Sequence, residues 1–267
     1  MASPLLRPET VHAALERQAA LREQGFVCPY QASFLTVARE PEYIHATLQS
    51  FLESDPAAAL LLPVTLAVGG TDAAYVAPYE EMGLARVRPM TPSEAEEMNT
   101  RPVPEGKRVH TRFNTNYHRA LTVDVDPRNG LLVFEDDISY TRDWFRKFLE
   151  LVARNAALQG DGFLFSFYSP HALGDSPEVG AIPTEMFYGT QGVYFPPAMR
   201  YDCALHLLWR GVNEYHNPAD LILRNFCWAN QKPILLSRNS LVQHEGMRTT
   251  GLSPDPESCH RSPTFVP

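Results

Sequence analysis

An α/β fold, a single domain with a mainly parallel central sheet flanked by helices, follows from three features of the chain. Short apolar segments rich in β-branched and aromatic residues alternate with segments of helical periodicity. Residues 131–134 (Leu-Leu-Val-Phe) are apolar throughout, as a strand covered on both faces requires. The double glycine Gly69-Gly70 stops a strand cleanly.

The elements follow in order. Residues 10–24 predict a helix, with Val11, Ala14, Leu15 and Leu21 on one side and Gly25 as a left-handed cap. Residues 33–37 (SFLTV) predict the first strand. Residues 42–54 predict a helix that buries Ile44, Leu48, Phe51 and Leu52, and residues 63–68 (PVTLAV) a second strand. Residues 89–107, rich in Pro, Glu and Thr and weakly periodic, read as a surface excursion or mobile loop. A helical region over 116–123 precedes the strand at 131–134. Residues 143–158 predict a helix, capped by Thr141, with Trp144, Phe145, Phe148, Leu149 and Val152 as its apolar stripe. Strands are expected at 163–168, 189–197 and 233–236, and a helix at 218–229 with Pro218 in its first turn. The proline-rich tail from residue 253 reads as extended or disordered.

Composition narrows the function classes. The 267 residues can bury a sizeable core, and 44% hydrophobic with 20% charged residues is ordinary for a globular protein. A net charge of −8 argues against a broad nucleic-acid face, which needs clustered Lys and Arg. An acidic chain can still bind a phosphorylated ligand through a metal. No apolar run approaches the ~20 residues of a membrane span. The first residues lack the basic region and apolar stretch of a secretory signal. Cys28, Cys203, Cys227 and Cys259 form no CxxC pair. Together these features predict a cytoplasmic protein with reduced thiols.

The informative stretch is GLLVFEDD, residues 130–137, in which an apolar strand ends in three acids. Adjacent carboxylates repel one another, and a hard divalent cation removes that repulsion. At the carboxyl edge of an open α/β sheet they would lie where ligands bind. Side-chain alternation puts Glu135 and Asp137 on one side and Asp136 on the other. Asp137 is therefore the first choice as direct ligand, with Glu135 acting through a water or a ribose. The competing reading is that the three acids decorate the loop before the next helix.

At these residues the chain resembles the GT-A fold glycosyltransferases, whose Rossmann-like domain carries a DxD or EDD metal motif at the end of a central strand. It looks most like the branch with an LEDD strand and a late SLxQH segment, such as the family that branches N-glycans with N-acetylglucosamine. Glu135 stands where many members carry Asp. The resemblance implies a GT-A domain over residues 31–250, after a helical extension (1–30) and before a flexible tail (251–267). It also implies a UDP-sugar or similar nucleotide-sugar donor, a hydroxyl acceptor and a Mn²⁺ or Mg²⁺ cofactor. Phe34 to Arg39 (FLTVAR), Ser240 to His244 (SLVQH) and Asn217 to Asp220 (NPAD) match further segments.

The resemblance places Thr36 and Arg39 near the nucleotide and phosphates, His244 as a third metal ligand, and Asp220 as the base of an inverting transfer. Imidazole beside two carboxylates suits Mn²⁺ better than Mg²⁺. Asp220 equally reads as a first-turn helix acid, and Glu185 and Asp202 are weaker candidates for the base. Donor contacts are also expected from Asp72, Asn116, Arg119 and Asp136, and from Gly192 within a 189–192 segment lining the sugar pocket. Arg offers a fork for phosphate. Each of these residues has a structural alternative in loop bracing, turns or helix capping. Trp209, Tyr215 and Trp228 receive no assignment, since such residues at helical spacing are usually core. Two other functions fit the same fold class: a nucleotidyltransferase making activated sugars, and a non-catalytic carbohydrate-binding protein. The first should show a glycine-rich phosphate loop near the first strand, which FLTVAREPEY lacks.

Overall fold

The computed structural model describes residues 27–55, 61–155, 162–170, 179–246 and 261–267, with residue 58 and scattered positions from 16 to 25. Most of the helix expected at 10–24 lies outside the described residues. The first half of the chain runs β1 (Tyr30–Thr36), α1 (Ile44–Ser54), β2 (Val64–Val68), α2 (Ala77–Glu81), β3 (Arg86–Arg88), α3 (Pro92–Thr100), α4 (Arg108–Thr122) and β4 (Gly130–Glu135). Then come β5 (Ile138–Tyr140), α5 (Trp144–Arg154), β6 (Leu164–Ser166), β7 (Val179–Ile182), β8 (Gly192–Phe195) and α6 (Pro197–His206). Helix α6 continues as a π-helix over Leu207–Glu214, and α7 (Ala219–Ala229), β9 (Ile234–Ser237) and β10 (Val242–His244) complete the order.

Eight strands form one sheet in the order β3-β2-β1-β4-β8-β6-β9-β7. Strand β8 is antiparallel to β4 and β6, and β7 is antiparallel to β9; the other neighbouring pairs are parallel. Both faces are covered, which is why β4 carries no polar stripe before its last residue. Leu132 and Phe134 of β4 join Phe34, Leu48, Phe51, Trp144 and Phe148 on one face. Their neighbours Leu131 and Val133 join Leu35, Tyr117, Leu121 and Leu223 on the other. Burying each such side chain stabilises the fold by about 1.5–3 kcal/mol.

Phe134 is the hub of the first face. Its ring centroid lies 5.4 Å from Phe34, 5.2 Å from Tyr140, 5.5 Å from Trp144 and 5.3 Å from Phe167. A Cβ at Gly192 would stand 3.0 Å from the Phe134 ring and 3.1 Å from Phe167, so this glycine admits the ring. The register aligns Leu35 with Glu135, so β1 and β4 end at the same sheet edge. Beyond it, β5 and β10 form a small antiparallel pair with His244 opposite Ile138.

Three expectations need correction. The loop expected at 89–107 contains α3, with Thr91 and Glu94 forming a reciprocal capping box. Its periodicity is weak because only Met98 is buried. Thr141 does not cap α5; its hydroxyl donates to the Val266 carbonyl. The helix start is served from the end of α1, where Asp55 Oδ2 accepts from Phe145 N at 2.9 Å and Arg146 N at 3.1 Å. Finally, the last seven residues of the tail are tied to the domain. Ser262 N donates to Gln243 Oε1 at 2.9 Å, and Ser240 N donates to Thr264 Oγ1 at 3.1 Å.

Candidate active site

Strand β4 stays apolar as far as Phe134 because both of its faces are packed; its last residue, Glu135, is the first of the acids, and the chain leaves the sheet after it. The turn after it is fastened by Thr47 of α1. The Thr47 hydroxyl oxygen lies 2.8 Å from Asp136 O and 2.9 Å from Ile138 O, and accepts from Ile138 N at 3.0 Å. From the other side Glu245 N donates to Asp137 O at 2.8 Å. This bond and the β5–β10 pairing bring His244 to the turn.

The three acids then divide. Asp136 turns toward β1, where it accepts from Val37 N at 3.4 Å and pairs with Arg39. Glu135 and Asp137 turn toward His244. One ligand atom from each of Glu135, Asp137 and His244 lies within 4.8 Å of the other two. Thr190 Oγ1 donates to Glu135 Oε1 at 2.7 Å. Asp137 Oδ2 lies 3.4 Å from His244 Nε2 and accepts from Arg39 Nη2 at 3.1 Å.

Burial and charge pull these groups apart in acidity. Burial, with the Asp137 charge, pushes Glu135 up to about 7. Burial also pushes Asp136 up, to about 6, against the opposing Arg39 charge. At Asp137 burial is outweighed by His244 and Arg39, which hold it below the usual carboxylate range. Burial disfavours the His244 cation, yet Asp137 outweighs it and the imidazole is raised.

The site fits a divalent cation. Its donors are two carboxylates and an imidazole, a set compatible with Mn²⁺. Asp137 Oδ1 is buried without a hydrogen-bond partner among the described residues. Gly246 completes the cradle, since a Cβ there would overlap Asp137 Oδ2 and stand 3.0 Å from His244 Nε2.

The other expected site residues lie at varied distances from this cluster. Thr36 ends β1, with its hydroxyl 3.2 Å from the Tyr75 hydroxyl. Asn116 and Arg119 are buried on α4 and engage the backbone. Asn116 Nδ2 donates to Ala67 O at 3.2 Å, and Arg119 donates to Val68 O and Pro89 O, each at 2.8 Å. Gly69 accommodates this packing, because a Cβ there would lie 2.6 Å from Val37 and 3.1 Å from Asn116. Gly70 faces open space. Asp72 closes a short turn by accepting from Ala74 N at 3.0 Å.

Asp220 sits in the first turn of α7 and accepts from Leu221 N at 2.8 Å and Gly189 N at 3.2 Å. Residues 189 and 190 thus bond to Asp220 and Glu135 respectively. Glu185 and Asp202 are exposed. So are Trp209, Tyr215 and Trp228, contrary to the core location usual for such residues.

Sequence reasoning missed four supporting residues. Thr47 carries no local signal, because its role exists only once α1 packs on the turn. Thr190 lay in a segment assigned to the sugar pocket, and the structure ties it to Glu135. Tyr43 stacks under the Arg39 guanidinium, 4.7 Å from ring centroid to Cζ. Gly246, directly after His244-Glu245, was the readable signal of a tight approach at a strand end.

No protein-family profile matches the chain, and no curated protein is significantly similar to it. Among solved structures it resembles the galactosyltransferase LgtC in complex with donor and acceptor sugar analogues, at 11% identity and a TM-score of 0.47 over 79% of this chain and 73% of that one. TarS of S. aureus gives 10% identity and 0.49 over 80% and 36%. Mouse xyloside xylosyltransferase 1 gives 9% and 0.47 over 77% and 83%. At these identities the likeness is one of fold alone. Among the described residues no helix is long and apolar enough to cross a membrane.

Proposed function

We propose that the chain is a glycosyltransferase that moves a sugar from a nucleoside-diphosphate sugar, a UDP-sugar, to a hydroxyl acceptor. Glu135, Asp137 and His244 would hold a divalent metal, Mn²⁺ in preference to Mg²⁺. The observation that supports this reading is the meeting of those three side chains, with atoms within 4.8 Å, where β4 leaves the sheet. Ligands of open α/β sheets bind at that edge.

When bound, the cation supplies Lewis-acid stabilisation of the charge that grows on the departing diphosphate. The protein's own residues do the rest. Thr190 fixes the Glu135 carboxylate, and the Glu245 N–H and Thr47 fix the backbone from which Asp136 and Asp137 project. Pre-set donors of this kind need no rearrangement during reaction. Arg39 lies within reach of the same acids and offers its fork to phosphate.

Asp220 takes the proton from the acceptor hydroxyl as that oxygen attacks the anomeric carbon, which inverts the configuration. Two backbone N–H groups orient its carboxylate, and the link through residues 189 and 190 to Glu135 supports a position beside the donor.

Calorimetric titration with UDP, with and without Mn²⁺, tests the reading. Binding that requires the metal is expected. Absence of binding to any nucleoside diphosphate would overturn it in favour of a carbohydrate-binding protein that has kept the fold.

A further inference from the structure

Arg39 occupies an unusual position for a phosphate contact. Its Nη2 bonds to carboxylates of both Asp136 and Asp137, with 3.1 Å to the latter. The side chain is only 15% exposed, and its Nε is buried with no hydrogen-bond partner among the described residues. The Tyr43 ring lies under the guanidinium. Asp137 Oδ2, which accepts this bond, also lies 3.4 Å from His244 Nε2. One carboxylate oxygen therefore faces the imidazole of the candidate metal site and an internal cation together.

We infer that Arg39 is a built-in counter-cation that exchanges partners. In the metal-free protein it neutralises Asp136 and Asp137. A divalent ion on Asp137 brings positive charge beside the guanidinium at the same oxygen, and the two repel. Arg39 then gives up Asp137, keeps Asp136 as its anchor, and turns its freed N–H groups, Nε included, to the donor's diphosphate. Tyr43 provides a face on which the planar group can slide without losing its support. Metal and nucleotide thereby assist each other's binding, because the first releases the group that holds the second. This inference rests on the metal assignment and the phosphate contact proposed above and adds to them the exchange of partners at Arg39.

The experiment is to measure Mn²⁺ affinity by electron paramagnetic resonance without nucleotide, and UDP affinity by calorimetry at saturating Mn²⁺. Wild type, Arg39→Gln and Arg39→Lys are compared, with near-UV circular dichroism to check the fold. Arg39→Gln is expected to bind Mn²⁺ about tenfold more tightly and UDP about tenfold more weakly, a difference of about 1.4 kcal/mol each way. Arg39→Lys keeps the charge and should hold Mn²⁺ within about twofold of wild type. A merely structural arginine would weaken both ligands when removed.

Unchanged or weaker Mn²⁺ binding in a folded Arg39→Gln overturns the exchange while leaving the metal site standing. Unchanged UDP affinity overturns the nucleotide half of the exchange. Tighter Mn²⁺ binding in Arg39→Lys shows that charge is not the cause and also overturns it. If wild type binds no Mn²⁺, the metal reading itself fails and the exchange goes with it.

Discussion

At the scale of single residues, the candidate site is a set of opposed charges whose members contribute with opposite sign to the metal-free protein. Glu135 is half-buried beside Asp137, and both desolvation and that charge disfavour its ionised form. Asp137, by contrast, is held by Arg39 and His244. Glu135→Gln should therefore raise the melting temperature of metal-free protein by a few degrees, while Asp137→Ala lowers it, and both should abolish the thermal shift given by Mn²⁺ with UDP. Differential scanning fluorimetry with and without ligands checks both signs, and a persisting shift in Asp137→Ala would count against the metal assignment. Gly246→Ala adds only one methyl group, but that group overlaps Asp137 Oδ2. It should cut Mn²⁺ affinity at least tenfold, read by the same resonance titration, with the bulk fold intact by circular dichroism. Residue type and strand end pointed to Asp137 and Glu135 as candidate ligands, the resemblance added His244, and the structure brings the three together; the separate directions of the acids were half legible. Strand alternation separated Asp136 from its neighbours, as observed. That Arg39 answers Asp136 and Asp137 together was invisible, because those contacts span about a hundred positions of chain.

At the scale of elements, the helices show why local signals were read unevenly. Strands β2 and β4 are apolar at nearly every position because both faces are covered, so their sequences announce them, whereas β1 carries Gln31, Ser33 and Thr36 and is announced mainly by its Phe34-Leu35 centre. Helix α3 was missed because it buries one residue, although Thr91, Pro92 and Glu94 wrote a capping box in plain order. Helix α5 shows the reverse. Thr141 stands near its start, yet the first N–H groups are satisfied by Asp55, a residue from the end of α1. Asp55→Ala should thus destabilise the protein by about 1–2 kcal/mol, the value of a lost cap. Thr141→Ala should cost less, because that residue serves the tail. Urea unfolding of the two variants decides the order, and a Thr141→Ala loss equal to that of Asp55→Ala would refute the cap assignment. The π-helix at Leu207–Glu214 also depends on distant contacts. Asn114 of α4 donates to Gly211 O at 2.9 Å and to Asn217 O at 2.8 Å, just before the turn that presents Asp220.

On the scale of the whole molecule, one sheet edge gathers groups from four parts of the chain: Arg39 after β1, the acids at the end of β4, Thr190 before β8 and His244 on β10. Ligand at that edge should stabilise the whole domain by mass action, by about 2.7 kcal/mol at a hundredfold excess over its dissociation constant. With roughly 2–4 °C per kcal/mol at this size, Mn²⁺ and UDP together should shift the melting temperature by about 5–10 °C. Equal shifts with and without metal would contradict the metal assignment. The amino-acid order by itself determined the α/β class, the positions of strands β1, β2 and β4, and helices α1, α5 and α7; it placed only the second half of α4 and none of α6. It also determined that an apolar strand must run out into three acids, since burial dictates residue type along each strand and helix locally. Only the tertiary structure decided which partners meet: Asp55 at the start of α5, Thr47 beneath the acidic turn, Arg39 against two carboxylates and His244 opposite Ile138. Such pairings follow from packing and register between segments far apart in the chain, and no local pattern of side chains encodes them.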